Sequence, residues 1–123
     1  MGKIAFFFFV AILFLGDAQA ASLHPEKYYQ EKWCNEHKGK TEVVLTNNTR
    51  ADCITDSNVI EFDFGKKWAE SIGQALNYSE QTGKRAGIVL IMEDASESKY
   101  LLRVKDIIKH FRLPIDVWGI GKL

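Results

Sequence analysis

The sequence predicts an α/β (α+β) domain in which helices flank a mixed β-sheet. Three observations support this prediction: short runs of alternating or continuous apolar residues, longer segments with apolar residues at helical spacing, and turn residues between them. The predicted order along the chain is α-β-β-β-α-β-α-β. Because strands alternate with helices towards the C-terminus, we expect the helices to pack on the sheet.

The ends of these elements are marked by residues with special backbone preferences. Pro25 suits the first position of a helix, Gly39 suits a helix end, and the pair at 47–48, Asn-Asn, suits a hairpin turn. The predicted elements are a helix at 25–38, strands at 41–46, 50–55 and 59–64, a helix at 66–82, a strand at 86–92, a helix at 96–111 and a strand at 115–120.

The first twenty residues have the pattern of a secretory signal peptide. Lys3 gives a positive start, residues 4–16 form an unbroken apolar run, and an Ala-Gln-Ala cleavage pattern ends at Ala20. The run is shorter than the about 20 residues of a membrane-spanning helix. We therefore predict cleavage near Ala20, one domain over residues 21–123, and a periplasmic or secreted protein without a stable membrane anchor. An uncleaved anchor or a buried helix is the alternative.

The charge balance limits the classes of partner. The chain has 16 Lys and Arg residues and 16 Asp and Glu residues. Since no net positive field attracts nucleic acid, a non-specific DNA-coating protein is disfavoured, and binding must use a local basic patch. The basic residues that either form such a patch or are simply solvated are Lys84, Arg85, Lys105, Lys109 and Arg112.

The two cysteines allow two interpretations. In an oxidising compartment, Cys34 and Cys53 could form a disulfide. They could equally be two small, buried apolar side chains. The sequence leaves both open, because it does not give the Cα separation that a bridge requires.

The third predicted strand carries two acids, Glu61 and Asp63, on the face opposite its apolar side chains. The turn that precedes it places Asp52 of the second strand directly opposite Glu61, where facing Cβ atoms are about 4.5–5.5 Å apart. Two bare carboxylates at that distance repel each other unless a cation lies between them. Asp52 and Glu61 are therefore candidate ligands for Mg²⁺, whereas an ordinary solvated strand face is the alternative.

The following helix aligns a lysine with polar side chains. At 3.6 residues per turn, Lys67, Gln74 and Tyr78 lie within about 40° of one another, whereas Lys66 points elsewhere. The Lys67 ammonium could hold an attacking water or offset charge in a transition state. Gln74 and Tyr78 could contact a substrate phosphate or orient the lysine. With a divalent ion to neutralise the phosphate, this set favours cleavage of a phosphodiester.

In this order, Asp52, Glu61 after a hairpin, and a Gln-x-x-x-Tyr helix at 74–78 resemble the PD-(D/E)xK nuclease superfamily, in particular its RecB-like and lambda-exonuclease-like branches. The resemblance covers about residues 26–92 and implies a restriction-endonuclease-like core of order α-β-β-β-α-β. It also implies hydrolysis of phosphodiester bonds with Mg²⁺ or Mn²⁺, and it favours DNA over RNA as the substrate.

The resemblance assigns roles to matching positions. Asp52 matches the first metal-binding aspartate, and Ala51 stands where the motif has proline. Glu61 matches the second acid. Glu31 in the first helix matches the upstream glutamate of many members, with Glu36 as its rival.

One position departs from the family pattern. The motif lysine should stand two residues after Glu61, where this chain has Asp63. In some members the lysine has moved to the next helix, so Lys67 is predicted to take its role and Asp63 to be a further metal ligand. The prediction is an exported Mg²⁺-dependent nuclease, which could need a homodimer to grip a duplex. If Lys67 does not reach the site, the chain is instead an inactive module that binds nucleic acid or a protein partner.

Overall fold

A computed structural model of the protein describes residues 22–122, together with Gly2 and Ala5. The predicted signal peptide lies outside the described residues apart from those two. In the described part of the chain, no helix is long and apolar enough to cross a membrane. The elements are α1 (Glu26–Glu36), β1 (Lys40–Val44), β2 (Arg50–Ile54), β3 (Asn58–Phe64), α2 (Trp68–Thr82), β4 (Arg85–Met92), α3 (Ser98–Phe111) and β5 (Ile115–Gly121), with 3₁₀ turns at Gly65–Lys67 and Ala95–Glu97.

The type and order of these elements confirm the predicted α/β (α+β) fold class. The strands form one mixed sheet in the order β1-β2-β3-β4-β5. The first three strands are antiparallel, whereas β3, β4 and β5 run parallel. Helix α2 connects β3 to β4, and α3 connects β4 to β5, so both connections move across the sheet in the same direction. Because such connections between parallel strands are right-handed, both helices lie on one face of the sheet.

The sheet is buried on both faces. On one face, α2 and α3 cover the β4 side chains of Ile88 and Leu90. On the other face, Trp33 of α1 packs in a cluster with Val89 and Ile91. This double burial explains why β4 is a continuous apolar run in the sequence.

A disulfide fixes α1 to the sheet. Cys34 of α1 is bridged to Cys53 of β2, with the Cα atoms 6.0 Å apart. Gly39 lies against this bridge, and an added Cβ would stand 2.6 and 2.7 Å from the two sulfurs. The sequence predicted Gly39 as a helix end, but Lys38 takes the left-handed conformation there, with φ 55°. Glycine is needed at 39 because the disulfide approaches its backbone so closely.

Gly39→Ala is expected to lower the free energy of unfolding by about 2 kcal/mol, because the added methyl group overpacks the buried disulfide. Gly73→Ala is the matched control, since no atom lies within 4 Å of its added Cβ in the exposed face of α2. That change should raise stability by about 0.5–1 kcal/mol through helix propensity. Urea denaturation under oxidising conditions measures both. Equal effects at the two positions would contradict the packing argument.

Two residues of the predicted basic patch are engaged by the fold itself. The Lys84 ammonium donates to the carbonyl oxygens of Thr55 and Asp56 at 3.0 and 3.1 Å. Arg85 Nε pairs with Asp116 at 2.9 Å. Both cations therefore tie sheet segments together.

Candidate active site

The candidate site lies where β2 and β3 separate. Their ladder pairs Cys53 with Ile60, which is the register that places Asp52 opposite Glu61, as predicted. Beyond this pair, a side chain takes the place of the backbone hydrogen bond between the strands: Asp52 Oδ2 accepts a hydrogen bond from the Phe62 N–H at 2.8 Å. The Asp52 carboxylate is therefore fixed at a fork between the two strands.

Two further acids of this fork are withdrawn from solvent. Glu61 and Asp63 are only 3% and 5% exposed, so the interpretation of a solvated strand face is wrong. Within the described part of the chain, Glu61 Oε2 and Asp63 Oδ2 are buried without a hydrogen-bond partner. A buried carboxylate oxygen costs several kcal/mol unless it is protonated, paired or bound to a cation. These oxygens therefore require either a proton or a cation.

Burial and mutual repulsion raise the pKa values of these carboxyls. The pKa of Glu61 is raised to about 11, first by burial and then by the charges of Asp52 and Asp63. Burial raises the pKa of Asp63 to about 6, although the neighbouring Glu61 carboxyl and the Lys67 charge oppose it. Burial also raises the pKa of Asp52, against the Phe62 N–H. At neutral pH, Glu61 therefore retains its proton.

A fourth carboxyl reaches this cluster from the first turn of α1. The pKa of Glu26 is raised to about 7, first by burial and then by the charges of Asp52 and Asp63. The Lys67 charge acts in the opposite direction. Glu26 therefore belongs to the same electrostatic cluster, although it is not among the site residues predicted from the sequence.

Glu31, the predicted helix glutamate, does not join the cluster. It pairs with Lys27 at 3.7 Å, and its side chain is 52% exposed. Its rival Glu36 is exposed at the other end of α1. Since residues 26 and 31 lie about 140° apart around a helix, no single orientation of α1 presents both to the fork.

The orientation of α1 is set by a stripe with a spacing of four residues. Cys34 is bonded to Cys53. One turn earlier, Gln30 Nε2 donates to the Asp52 carbonyl oxygen at 2.8 Å. One turn earlier again is Glu26. A disulfide at the end of this stripe is the signal that could have identified Glu26 from the sequence.

Helix α2 and the turn before it close the site from the other side. Lys67 is exposed at the end of the turn Gly65–Lys67, and its charge lowers the pKa of Asp63. Tyr78 is buried, and its hydroxyl donates to Gln74 Oε1 at 3.3 Å. Burial and the Glu61 charge raise the pKa of Tyr78, so that its hydroxyl remains protonated. The structure thus brings Lys67 and Tyr78 close to the carboxylates. Gln74 is connected to them through its hydrogen bond with Tyr78.

The donor set suits a hard divalent cation. In the part of the chain that the structure describes, no three acidic, histidine or cysteine side chains already have the arrangement of a metal site. Mg²⁺ commonly takes only one or two carboxylates and completes its shell with water and substrate oxygens. Asp52 and the unpartnered oxygens of Glu61 and Asp63 are oxygen donors of the kind that could hold Mg²⁺ or Mn²⁺.

Glu26→Gln is expected to weaken Mn²⁺ binding about tenfold, the scale of changes to groups that support metal ligands. It removes one charge of the cluster while keeping the size of the side chain. Glu31→Gln is the matched control on the same helix and should not change the affinity. Calorimetric titration of both variants measures this. Equal losses of affinity would contradict the placement of Glu26.

No family model matches this chain, and neither the curated proteins nor the solved structures give a significant match.

Proposed function

We propose that this protein is an exported, Mg²⁺-dependent nuclease of the PD-(D/E)xK type that hydrolyses phosphodiester bonds of DNA. The observation that carries this proposal is that Glu61 and Asp63 are buried beside Asp52. Glu61 and Asp63 each have one carboxyl oxygen without a hydrogen-bond partner among the residues that the structure describes. Packing alone favours apolar side chains at such positions, because uncompensated buried charges destabilise a fold. Clusters of carboxyls with raised pKa values are more typical of functional sites.

Asp52, Glu61 and Asp63 are the residues that would hold the ion. When bound, Mg²⁺ neutralises the phosphodiester charge and polarises its phosphorus–oxygen bonds. The Phe62 N–H fixes the Asp52 carboxylate at 2.8 Å, so that this donor is oriented before any ligand arrives. Glu61 holds a proton at neutral pH and would have to release it to act as a ligand of the ion.

Lys67 supplies the cation that the motif normally places at position 63. Its exposed ammonium acts electrostatically on Asp63, so it stands where buried carboxylates meet solvent. There it can hold an attacking water or offset negative charge on the phosphate oxygens. The Tyr78 hydroxyl, linked to Gln74, can donate to the same phosphate.

The disulfide supports an exported location. Bridges such as Cys34–Cys53 persist in oxidising compartments and are rare in the cytosol. This agrees with the signal peptide pattern of the first twenty residues.

Lys67→Met is expected to reduce Mg²⁺-dependent DNA cleavage about a hundredfold, the scale of removing one charge-stabilising donor. Lys66→Met is the matched control, because this neighbouring lysine is also exposed and has no assigned role. Initial rates on supercoiled and linear DNA, with purified residues 21–123, measure both. Cleavage that is unchanged by Lys67→Met, or lost equally in both variants, would overturn the assignment.

The position of Asp63 favours a second candidate function. Because an acid occupies the place of the motif lysine, the domain could bind a divalent ion and nucleic acid or a protein partner without cutting. This alternative predicts saturable Mn²⁺ binding by the wild-type protein and no cleavage of any DNA substrate. The nuclease proposal requires both binding and cleavage.

A further inference from the structure

A shallow depression lies between the starts of α2 and α3. Its volume is about 430 Å³, and its lining combines two aromatic rings and two cations with one aliphatic side chain and one acid: Trp68, Tyr100, Lys99, Arg103, Leu102 and Asp106. A depression of this size is on the scale of a small-ligand site.

This depression adjoins the candidate active site through the turn Gly65–Lys67. Tyr100 packs against Gly65, where an added Cβ would stand 2.9 Å from Cδ2 of the ring. Because Gly65 follows Asp63 by two residues, their Cα atoms are at most ~7.6 Å apart. Lys67, which acts on Asp63, immediately precedes Trp68. A chain bound in the depression would therefore reach the carboxylates within a few nucleotides.

The two cations of the depression are not held in ion pairs by the described residues, although the Asp106 carboxyl also lines it. Lys99 and Arg103 are exposed and lie one turn apart on α3. Within residues 22–122, neither forms an ion pair, in contrast to Arg85, which is held by Asp116. The Lys99 ammonium stands 5.3 Å from the centroid of the Tyr100 ring, so charge and ring are presented together.

We propose that this depression binds a single strand of DNA and leads it into the candidate site. Trp68 and Tyr100 would stack against bases, and Lys99 and Arg103 would contact phosphates. Aromatic rings beside cations are the usual means of holding single strands, whereas the bases of a duplex are already stacked and cannot reach such rings. The inference rests on the proposed nuclease function and adds its substrate class, a single strand or a frayed end.

The test is fluorescence anisotropy of labelled dT12 with residues 21–123 in EDTA, so that binding is measured without metal-dependent cleavage. The double variant Lys99→Glu and Arg103→Glu is expected to bind at least about tenfold more weakly. The slope of the logarithm of its binding constant against the logarithm of salt concentration should be shallower by about 0.7 for each lost phosphate contact. Tyr100→Leu keeps an apolar contact with Gly65 but removes the ring, and it should weaken binding about tenfold. Lys105→Glu, exposed on the same helix outside the depression, should change binding less than about twofold.

Three results would overturn the inference: no binding of dT12 by the wild-type protein, equal binding by the double variant and Lys105→Glu, or tighter binding of a duplex of the same length. The same variants separate this inference from the nuclease proposal. Weakened dT12 binding in the variants, with no Mg²⁺-dependent cleavage by the wild type, supports the strand site and refutes the nuclease. Cleavage that persists unchanged in variants with unchanged binding refutes the strand site alone.

Discussion

Replacing Asp52 with asparagine is expected to reduce Mg²⁺-dependent cleavage of DNA at least about a thousandfold, equivalent to about 4 kcal/mol of transition-state stabilisation. Asparagine retains an oxygen that can accept the Phe62 N–H, which now lies 2.8 Å from Asp52 Oδ2. The link between β2 and β3 should therefore survive. What is lost is the negative charge that would hold a divalent ion against the phosphate.

The control for this variant is Asp56→Asn, which changes an exposed acid in the turn between the same strands. It should cleave at the wild-type rate. Initial rates on linear duplex and on single-stranded DNA, with melting curves to verify the fold, make the comparison. A correctly folded Asp52→Asn protein that still cleaves DNA at the wild-type rate would remove the proposed role of this residue.

The metal-free protein is expected to lose stability as pH rises from about 4.5 towards neutrality. The pKa of Glu61 is raised from 4.5 in its ordinary state to about 11 in the fold by burial and by neighbouring charges. Below pH 4.5 the carboxyl is protonated in both the folded and unfolded states. Above it, only the unfolded state ionises freely, so stability falls with pH until the folded carboxyl titrates. At pH 7 the loss from this one group is about 3 kcal/mol.

Asp63 and Glu26 contribute with the same sign, because their pKa values are raised to about 6 and about 7. Urea denaturation in EDTA at several pH values measures the effect. Glu61→Gln cannot ionise, so it should remove the contribution of this one group, about 3 kcal/mol at pH 7, and be more stable than the wild type there. A wild-type profile with no fall between pH 4.5 and 7, or identical profiles for both proteins, would show that Glu61 is not held in its neutral form.

The register of the acidic residues could be predicted from the sequence because short turns leave little freedom. The turn before β3 closes with the Thr55 N–H donating to the Asn58 carbonyl at 2.9 Å. Once Thr55 is paired with Asn58, counting three residues along each strand places Asp52 opposite Glu61. The apolar side of β3 was equally predictable, and Ile60 and Phe62 do pack beneath α1.

The burial of the acids could not be predicted from that pattern. Alternating acids on a strand are compatible with a solvated face, and it is tertiary packing, including that of α2 against β3, that removes Glu61 and Asp63 from water. Similarly, the sequence placed Lys67 inside a helix beginning at residue 66. The helix begins instead at Trp68, after the turn Gly65–Lys67, so Lys67 stands at the entrance of the site.

The choice between Glu26 and Glu31 depended on a long-range bond. The rotation of α1 about its axis is set by the bridge from Cys34 to Cys53 and by the contact from Gln30 to the Asp52 carbonyl. Neither contact follows from local propensity. The motif resemblance selected Glu31 by its position along the chain, whereas the structure places Glu26 in the cluster.

Calorimetric titration with Mn²⁺ at neutral pH, in two buffers of different ionisation enthalpy, tests most directly whether the fork between β2 and β3 is a divalent-cation site. We expect saturable binding by the wild-type protein, a heat that differs between the buffers because Glu61 releases its proton, and no saturable binding by Asp52→Asn. The absence of saturable binding by the wild type, or equal binding by Asp52→Asn, would show that the fork is not such a site.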